Sequence, residues 1–270
     1  MGFAEYLFLG RALSAFGDLA GAETALTSAK ELRDLQRPNT LQSARILGMR
    51  AVEVDAALAE ASAILAKVGK DVGADEDVQH RSFKARAYLA LGRAQQSVEL
   101  LNDLKSDHQS FASAPNRAGL FHSYLADAQL AVGNDVEALK AVTDVRSLLA
   151  SKNAGTAIPL LAAKLDLVEG AVKLRAGDAV GALPLLEKTL AEREARLSPA
   201  SPFLAEAYLS VARAKLALGK RTEAASFLQK ANDVRARNAQ LGEQLEQQFR
   251  EVKKLIAVSI KPHNAVASRD

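Results

Sequence analysis

The sequence predicts an all-α protein: a solenoid of about six antiparallel helix pairs closed by a C-terminal capping helix. Three observations predict it. Gly92, Gly133, Gly177 and Gly219 recur at intervals of 41, 44 and 42 residues. An apolar stripe of helical period runs into each of these glycines and another leads out. The apolar residues are mostly Leu, Ala and Val, with no Trp and 5% aromatics, which suits helices packed at close range. A fixed period of this length marks a repeat array. Such an array grows without one central core, so 270 residues form a single unit, 1–258, followed by a tail.

The first pair spans 3–36. Tyr6, Leu9, Gly10, Leu13, Gly17, Ala22, Leu26 and Ala29 carry its pattern, and Pro38 ends it. The second, 40–68, has Leu41, Ala44, Leu47 and Met49, then Leu58, Ala61, Ile64 and Leu65. No glycine divides it, so it is either a pair bent at Val54-Asp55 or one continuous helix. Gly17 and Gly92 lie 75 residues apart, which leaves room for this one weak repeat. The third, 78–106, holds Phe83, Tyr88, Leu91, Val98, Leu101 and Leu104. The fourth, 117–150, follows a loop ended by Pro115 and holds Phe121, Leu125, Ala126, Ala138, Val142 and Val145.

The fifth pair, 157–196, holds Leu160, Leu167, Gly170, Leu174, Ala182 and Leu186. Pro184 is expected near the start of its second helix, where a missing N–H is tolerated. The sixth, 201–237, is the clearest. Leu204, Tyr208, Val211, Ala212 and Leu216 form one stripe, Gly219 stops the helix, and Thr222 is expected to cap the next. That next helix is expected to bury Ala224, Phe227, Leu228 and Ala231. Over 239–258, Leu241, Leu245, Phe249, Val252 and Ile256 form one apolar face opposite Glu243, Gln244, Gln247, Arg250 and Lys254. A capping helix needs this arrangement, polar outside and apolar against the last repeat. Residues 259–270, rich in polar residues after Pro262, are expected to be a disordered tail.

The stretch from Leu204 to Ala231 resembles a tetratricopeptide repeat, whose signature is W-x2-L-G-x2-Y, then Ala-x3-Phe, then Pro. Tyr208 takes the Trp place, Val211 and Ala212 the Leu-Gly place, and Ala224 with Leu228 the Ala-x3-Phe pair. With Ser198-Pro199-Ala200-Ser201-Pro202 as the joining loop, it is similar to the longer repeats of kinesin light chains and many bacterial proteins. The resemblance implies a right-handed superhelix whose first helices line a concave face. Family members often carry an Asn pair there that holds peptide backbone; Leu209 and Ser210 stand in those places.

Composition excludes several chemistries. There is no cysteine, hence no disulfide or thiolate metal site. A net charge of +3, with pI near 9.0, falls short of a nucleic-acid-binding signature. No apolar run reaches the roughly 18 residues of a membrane span. The N-terminus lacks the basic region of a signal peptide, which points to the cytoplasm. His80, His108, His122 and His263 are scattered, with no partner acid or nucleophile in sequence. Glu192, Arg193, Glu194 and Arg196 alternate as on a solvated helix face. No catalytic residue, cofactor or metal site is expected.

The candidate binding residues come from the resemblance. It places Arg11, Arg86, Ser123, Asp127, Lys164, Leu209 and Arg213 on the concave face. Arg11, Arg86 and Arg213 share one place in their repeats, and a row of guanidinium groups favours an acidic partner. The expected function is a non-enzymatic scaffold that binds a peptide or partner helix. The alternative is a regulatory arm of a larger signalling protein, following a bacterial protein kinase or a winged-helix regulator domain. The array opens on an intact repeat at Phe3 with no cap, so a longer protein, or pairing through that end, is expected.

Overall fold

The computed structural model describes residues 85–86, 88–89, 92–106, 115–150, 159–238 and 241–258, with a short helical stretch within 24–32. Arg11, most of 3–36, the whole of 40–68 and the tail 259–270 lie outside the described residues. Among the described residues every regular element is a helix. In chain order they are α1 (Ala94–Ser106), α2 (Pro115–Ala131), α3 (Asp135–Ala150), α4 (Pro159–Arg175), α5 (Ala179–Arg196), α6 (Pro202–Ala217), α7 (Arg221–Arg235) and α8 (Glu243–Val258).

The turns follow from the glycines. Gly92, Gly133, Gly177 and Gly219 all take positive φ, between 73° and 84°. Only a residue without Cβ adopts that backbone at low cost, so each first helix ends there. Gly170 serves another purpose: a Cβ on it would lie 2.7 Å from Leu186 Cδ2, so α4 and α5 approach closely at this point. Asp178 caps α5, its side chain accepting from the Gly181 N–H at 2.8 Å.

Two local expectations are corrected. α7 starts at Arg221 with Lys220 at its cap position and no side-chain cap bond, so Thr222 lies inside the helix. Pro184 is interior to α5 rather than at its start. It removes the hydrogen bond to the Val180 carbonyl, which water can replace because Val180 is 74% exposed. α2 begins at Pro115, and α8 begins at Glu243 after Gly242, a fifth glycine of positive φ, at 78°.

The helices pack in two rows. α2 and α3, α4 and α5, and α6 and α7 are the antiparallel pairs, and α2, α4, α6 and α8 stack along one side. α8 therefore occupies the place that the first helix of a further repeat would take. The core is continuous along the array. Leu101, Leu104, Phe121, Leu125, Val142, Val145, Leu161 and Leu165 fill one part. Leu167, Leu186, Leu190 and Val211 fill the next. Leu204, Leu209, Val234, Phe249 and Val252 fill the last. Half-buried charges tie successive pairs together. Asp166 on α4 accepts from Arg146 on α3 at 2.9 Å and from Lys188 on α5 at 2.7 Å. Lys215 on α6 reaches Glu187 on α5 at 2.9 Å and Glu223 on α7 at 3.1 Å.

Candidate functional site: a groove along the first helices

The stacked first helices enclose a groove of about 260 Å³. Each contributes residues one helical turn apart: Asp127, Leu130 and Ala131 from α2; Leu167, Ala171, Leu174 and Arg175 from α4; Glu206, Ser210 and Arg213 from α6. α8 supplies Gln244, Gln247, Gln248 and Glu251, and Leu89, Gly92 and Ala94 close the opposite side. The two sides meet: a Cβ on Gly92 would lie 3.3 Å from Glu243 Cγ. The lining is mixed, with Leu and Ala between polar groups, as ligand clefts usually are.

A chain of charges forms the floor. Lys164 Nζ lies 2.9 Å from Asp127 Oδ2 and 3.6 Å from Glu206 Oε1. The other Glu206 oxygen accepts from Arg193 Nη1 at 2.8 Å, and the same nitrogen donates to the Phe203 carbonyl at 2.6 Å. Arg193 is 3% exposed. The Asp127 and Glu206 side chains keep 14% and 18% of their surface exposed, and both line the groove. Burial pushes the Glu206 carboxyl up, but Lys164 and Arg193 outweigh it and hold it at about 2. Burial pushes Asp127 above its ordinary value, and the neighbouring Glu206 charge adds to it, more than Lys164 and Arg193 pull it down. Burial works against the Lys164 ammonium as well, and its two carboxylates raise it nonetheless.

At the rim Arg175 pairs with Asp135 and donates to the Leu130 carbonyl at 2.8 Å. Arg213 Nη1 is 3.8 Å from Glu251 Oε2. Gln247 donates to Glu251 at 3.2 Å, and Ser210 donates to the Glu206 carbonyl at 2.8 Å.

Of the residues that the sequence places on the concave face, Asp127 and Arg213 line the groove. Lys164 lies between Asp127 and Glu206 and is joined to both, with 21% of its side chain exposed. Ser123 is 3% exposed and Leu209 fully buried in the core around α6 and α8, so neither offers a surface to a partner. Their row faces the neighbouring first helix, not the opening. Arg86 lies 4.7 Å over the Tyr124 ring and does not line the groove. The row of free arginines is thus not present among the described residues. Ser210, which stands with Leu209 at the place of the family's Asn pair, does line the groove, while Glu206 and Arg193 are not among the residues that the sequence singles out for it. Arg193 reads as one of a solvated series, and only its neighbours Glu192 and Arg196 form the expected surface pair, at 2.9 Å. The stripe spacing 206, 210, 213 was a usable signal for Glu206 and Ser210. Nothing local marks Arg193.

No family model matches the chain, and no curated protein matches it. Solved structures do. A Rap protein complexed with Competence and Sporulation Factor aligns at TM-score 0.68 with 12% identity, over 95% of this chain and 72% of that one. BtubC (BKLC) from P. vanneervenii aligns at TM-score 0.54 with 13% identity, over 96% and 97%. The apo form of RapI aligns at TM-score 0.55 with 10% identity, over 93% and 71%. At these identities the likeness is one of fold. Among the described residues no helix is long and apolar enough to cross a membrane, and no group of three metal-binding side chains occurs. With its paired helices, glycine turns and stacked inner row, the chain has the tetratricopeptide-like α-solenoid fold.

Proposed function

We propose that this protein is a non-enzymatic interaction module that holds a segment of another protein in the groove between α2, α4, α6 and α8. The observation that carries this reading is the groove's construction. Four stacked helices turn aligned stripes into one cleft, and its ionisable floor is tied together internally. Such a floor, with its carboxylates paired to Lys164 and Arg193, can orient a bound chain. The Rap structure of the same fold is a complex with a separate factor, which supports the use of this architecture for holding a partner.

The test is occlusion. Ala171 lines the middle of the groove on α4. Ala171→Trp fills the cleft. Tagged wild-type and Ala171→Trp chains are incubated with extract of the native cell, and captured proteins are compared by mass spectrometry. A partner captured by the wild type and lost with Ala171→Trp, at equal helicity by circular dichroism, is the expected result. Identical captured sets would rule the groove out as the binding face.

A further inference from the structure

Beside the groove, and independent of it, we propose a second docking surface at the C-terminal end of α8, whose occupant is an acidic amphipathic helix of a partner protein. Two aliphatic residues of that helix cover Leu255 and Val258, and its flanking carboxylates meet the cations around them.

The apolar residues of α8 divide into two sets. Leu245, Phe249, Val252 and Ile256 belong to the last part of the core. Leu255 and Val258 do not join it, and they keep 49% and 64% of their surface exposed. Gln244, Gln248, Glu251, Leu255 and Val258 succeed one another at steps of four, three, four and three residues, so they share one stripe. The first three line the groove. The last two carry the stripe past Glu251 and out of the groove. Arg213 on α6 and Glu251 on α8 lie 3.8 Å apart, and one turn on from each come Ala217 and Leu255. Ala217 is exposed too, so the ends of the two stacked helices share the apolar patch. A cap needs polar residues on its outer side, and Glu243, Glu246, Arg250 and Lys254 supply them. Capping therefore accounts for neither Leu255 nor Val258. Aliphatic residues three apart on an exposed helix have the spacing by which one helix engages another.

Charge complementarity sets the sign of the partner. Lys253 and Lys254 are exposed and form no ion pair among the described residues. Arg213 reaches this end from α6 with 40% of its side chain exposed. Arg221 reaches it from α7, donating to the Ile256 carbonyl at 2.5 Å. Against these four cations stands Glu251, beside Arg213. Glu223 on α7 is held by Lys215 at 3.1 Å and by Lys220 at 3.7 Å. The surplus is positive, which steers and aligns an acidic partner. An anionic membrane has the same charge, but a helix lying in a membrane surface needs a wide apolar face. The wide face of α8 is turned into the core, and Glu251 interrupts the exposed stripe.

The experiment pans a phage-displayed library of random peptides of about 15 residues, enough for four helical turns, against the full chain. The counter-selection is the double variant Leu255→Gln, Val258→Gln. Both side chains are exposed and glutamine keeps helix propensity, so the fold, checked by circular dichroism, is retained. The expected peptides carry two aliphatic residues three or four apart beside Asp or Glu. In fluorescence anisotropy titrations they bind the double variant at least about tenfold more weakly than the wild type. They bind Ala171→Trp as they bind the wild type. Replacing their acidic residues with glutamine weakens binding to the wild type, and much less to a Lys253→Glu, Lys254→Glu variant. No enrichment over the double variant, or a basic or uncharged consensus, overturns the proposal. Binding that is lost on Ala171→Trp and kept on the double variant places the peptide in the groove and overturns it as well. The other occupants are tested by sedimentation velocity of the full chain and by flotation with phosphatidylserine vesicles. A dimer, or vesicle binding, that the double variant abolishes assigns the patch to a second copy or to a membrane, and either overturns the proposal.

Discussion

Helices α6 and α8 have the same length, 16 residues, and stack on each other, yet they are buried in opposite ways. α6 is surrounded. Leu204, Ala205, Ala207, Leu209, Val211, Ala212, Ala214 and even Lys215 are buried, so its burial runs around the whole circumference. It touches α4, α5, α7 and α8. α8 buries Phe249 and Val252, with Leu241, Leu245 and Ile256 half-covered beside them. The difference shows what position in an array asks of a sequence. An interior helix must be small on every side, which alanine provides without loss of helix propensity. A terminal helix needs one apolar stripe, and its remaining surface is free for other use. Here that surface faces the groove.

The largest effect should come from breaking the surrounded helix. Ala212 is fully buried. Ala212→Trp leaves no room for the indole between α6 and its neighbours, at a cost of more than about 3 kcal/mol. That is a large part of the roughly 5–15 kcal/mol that stabilises a typical domain. Because α6 contacts both sides of the array, unfolding should spread from α4 to α8. The measurements are the thermal midpoint and the helical circular dichroism signal. An unchanged midpoint would mean that α6 is not the interior helix described above.

Phe249→Ala should act on the other side of the comparison. Deleting a buried phenylalanine costs about 3 kcal/mol or more where the structure cannot escape. α8 can escape, since among the described residues it packs chiefly on α6 and α7, with Glu243 near Gly92 as a lesser contact. The loss should therefore stop at the detachment of α8. Hydrogen exchange should rise over 243–258 while α4 and α5 stay protected. Exchange that rises along the whole array would show that α8 is part of one cooperative unit with the repeats.

Much of this contrast is legible in the sequence. The glycine period marks the turns because positive φ is a local demand that few residues meet. The Leu245, Phe249, Val252, Ile256 stripe marks α8 as one-sided because helical period alone defines a face. What escapes is what depends on the neighbour. Leu209 and Arg213 are one turn apart, and periodicity puts both on the same side, yet Leu209 is turned under α8 while Arg213 reaches the opening. Arg193 looks like Arg196, and only the stacking of α5 on α6 places it against Glu206 and the Phe203 carbonyl. The approach of Glu243 to Gly92 joins residues far apart in the chain. It follows from the superhelical path, which no local spacing records.

The smallest effect separates the polar groups of the two helices by acid titration. Glu206 on α6 is held at about 2, below its ordinary 4.5. A lowered folded-state value means that the carboxylate stabilises the fold above about pH 4.5. That contribution fades as pH falls from 4.5 towards 2. Asp127 runs the other way, since its raised value means that protonation favours the folded state and its charged form costs stability at neutral pH. Below about pH 4.5 the Glu206 loss should thus be felt against a small gain from Asp127. Glu206→Gln should be less stable than the wild type at pH 7, because Lys164 and Arg193 then face a neutral amide. It should also show a flatter decline between pH 4.5 and 2. On α8, Glu251 is half-exposed and 3.8 Å from Arg213, a surface pair worth no more than about 1 kcal/mol. Glu251→Gln should leave the neutral stability almost unchanged, as read from urea midpoints across the series. If Glu206→Gln is as stable as Glu251→Gln at pH 7, the carboxylate on α6 is as wet as the one on α8, and the enclosed floor of the groove does not exist in solution.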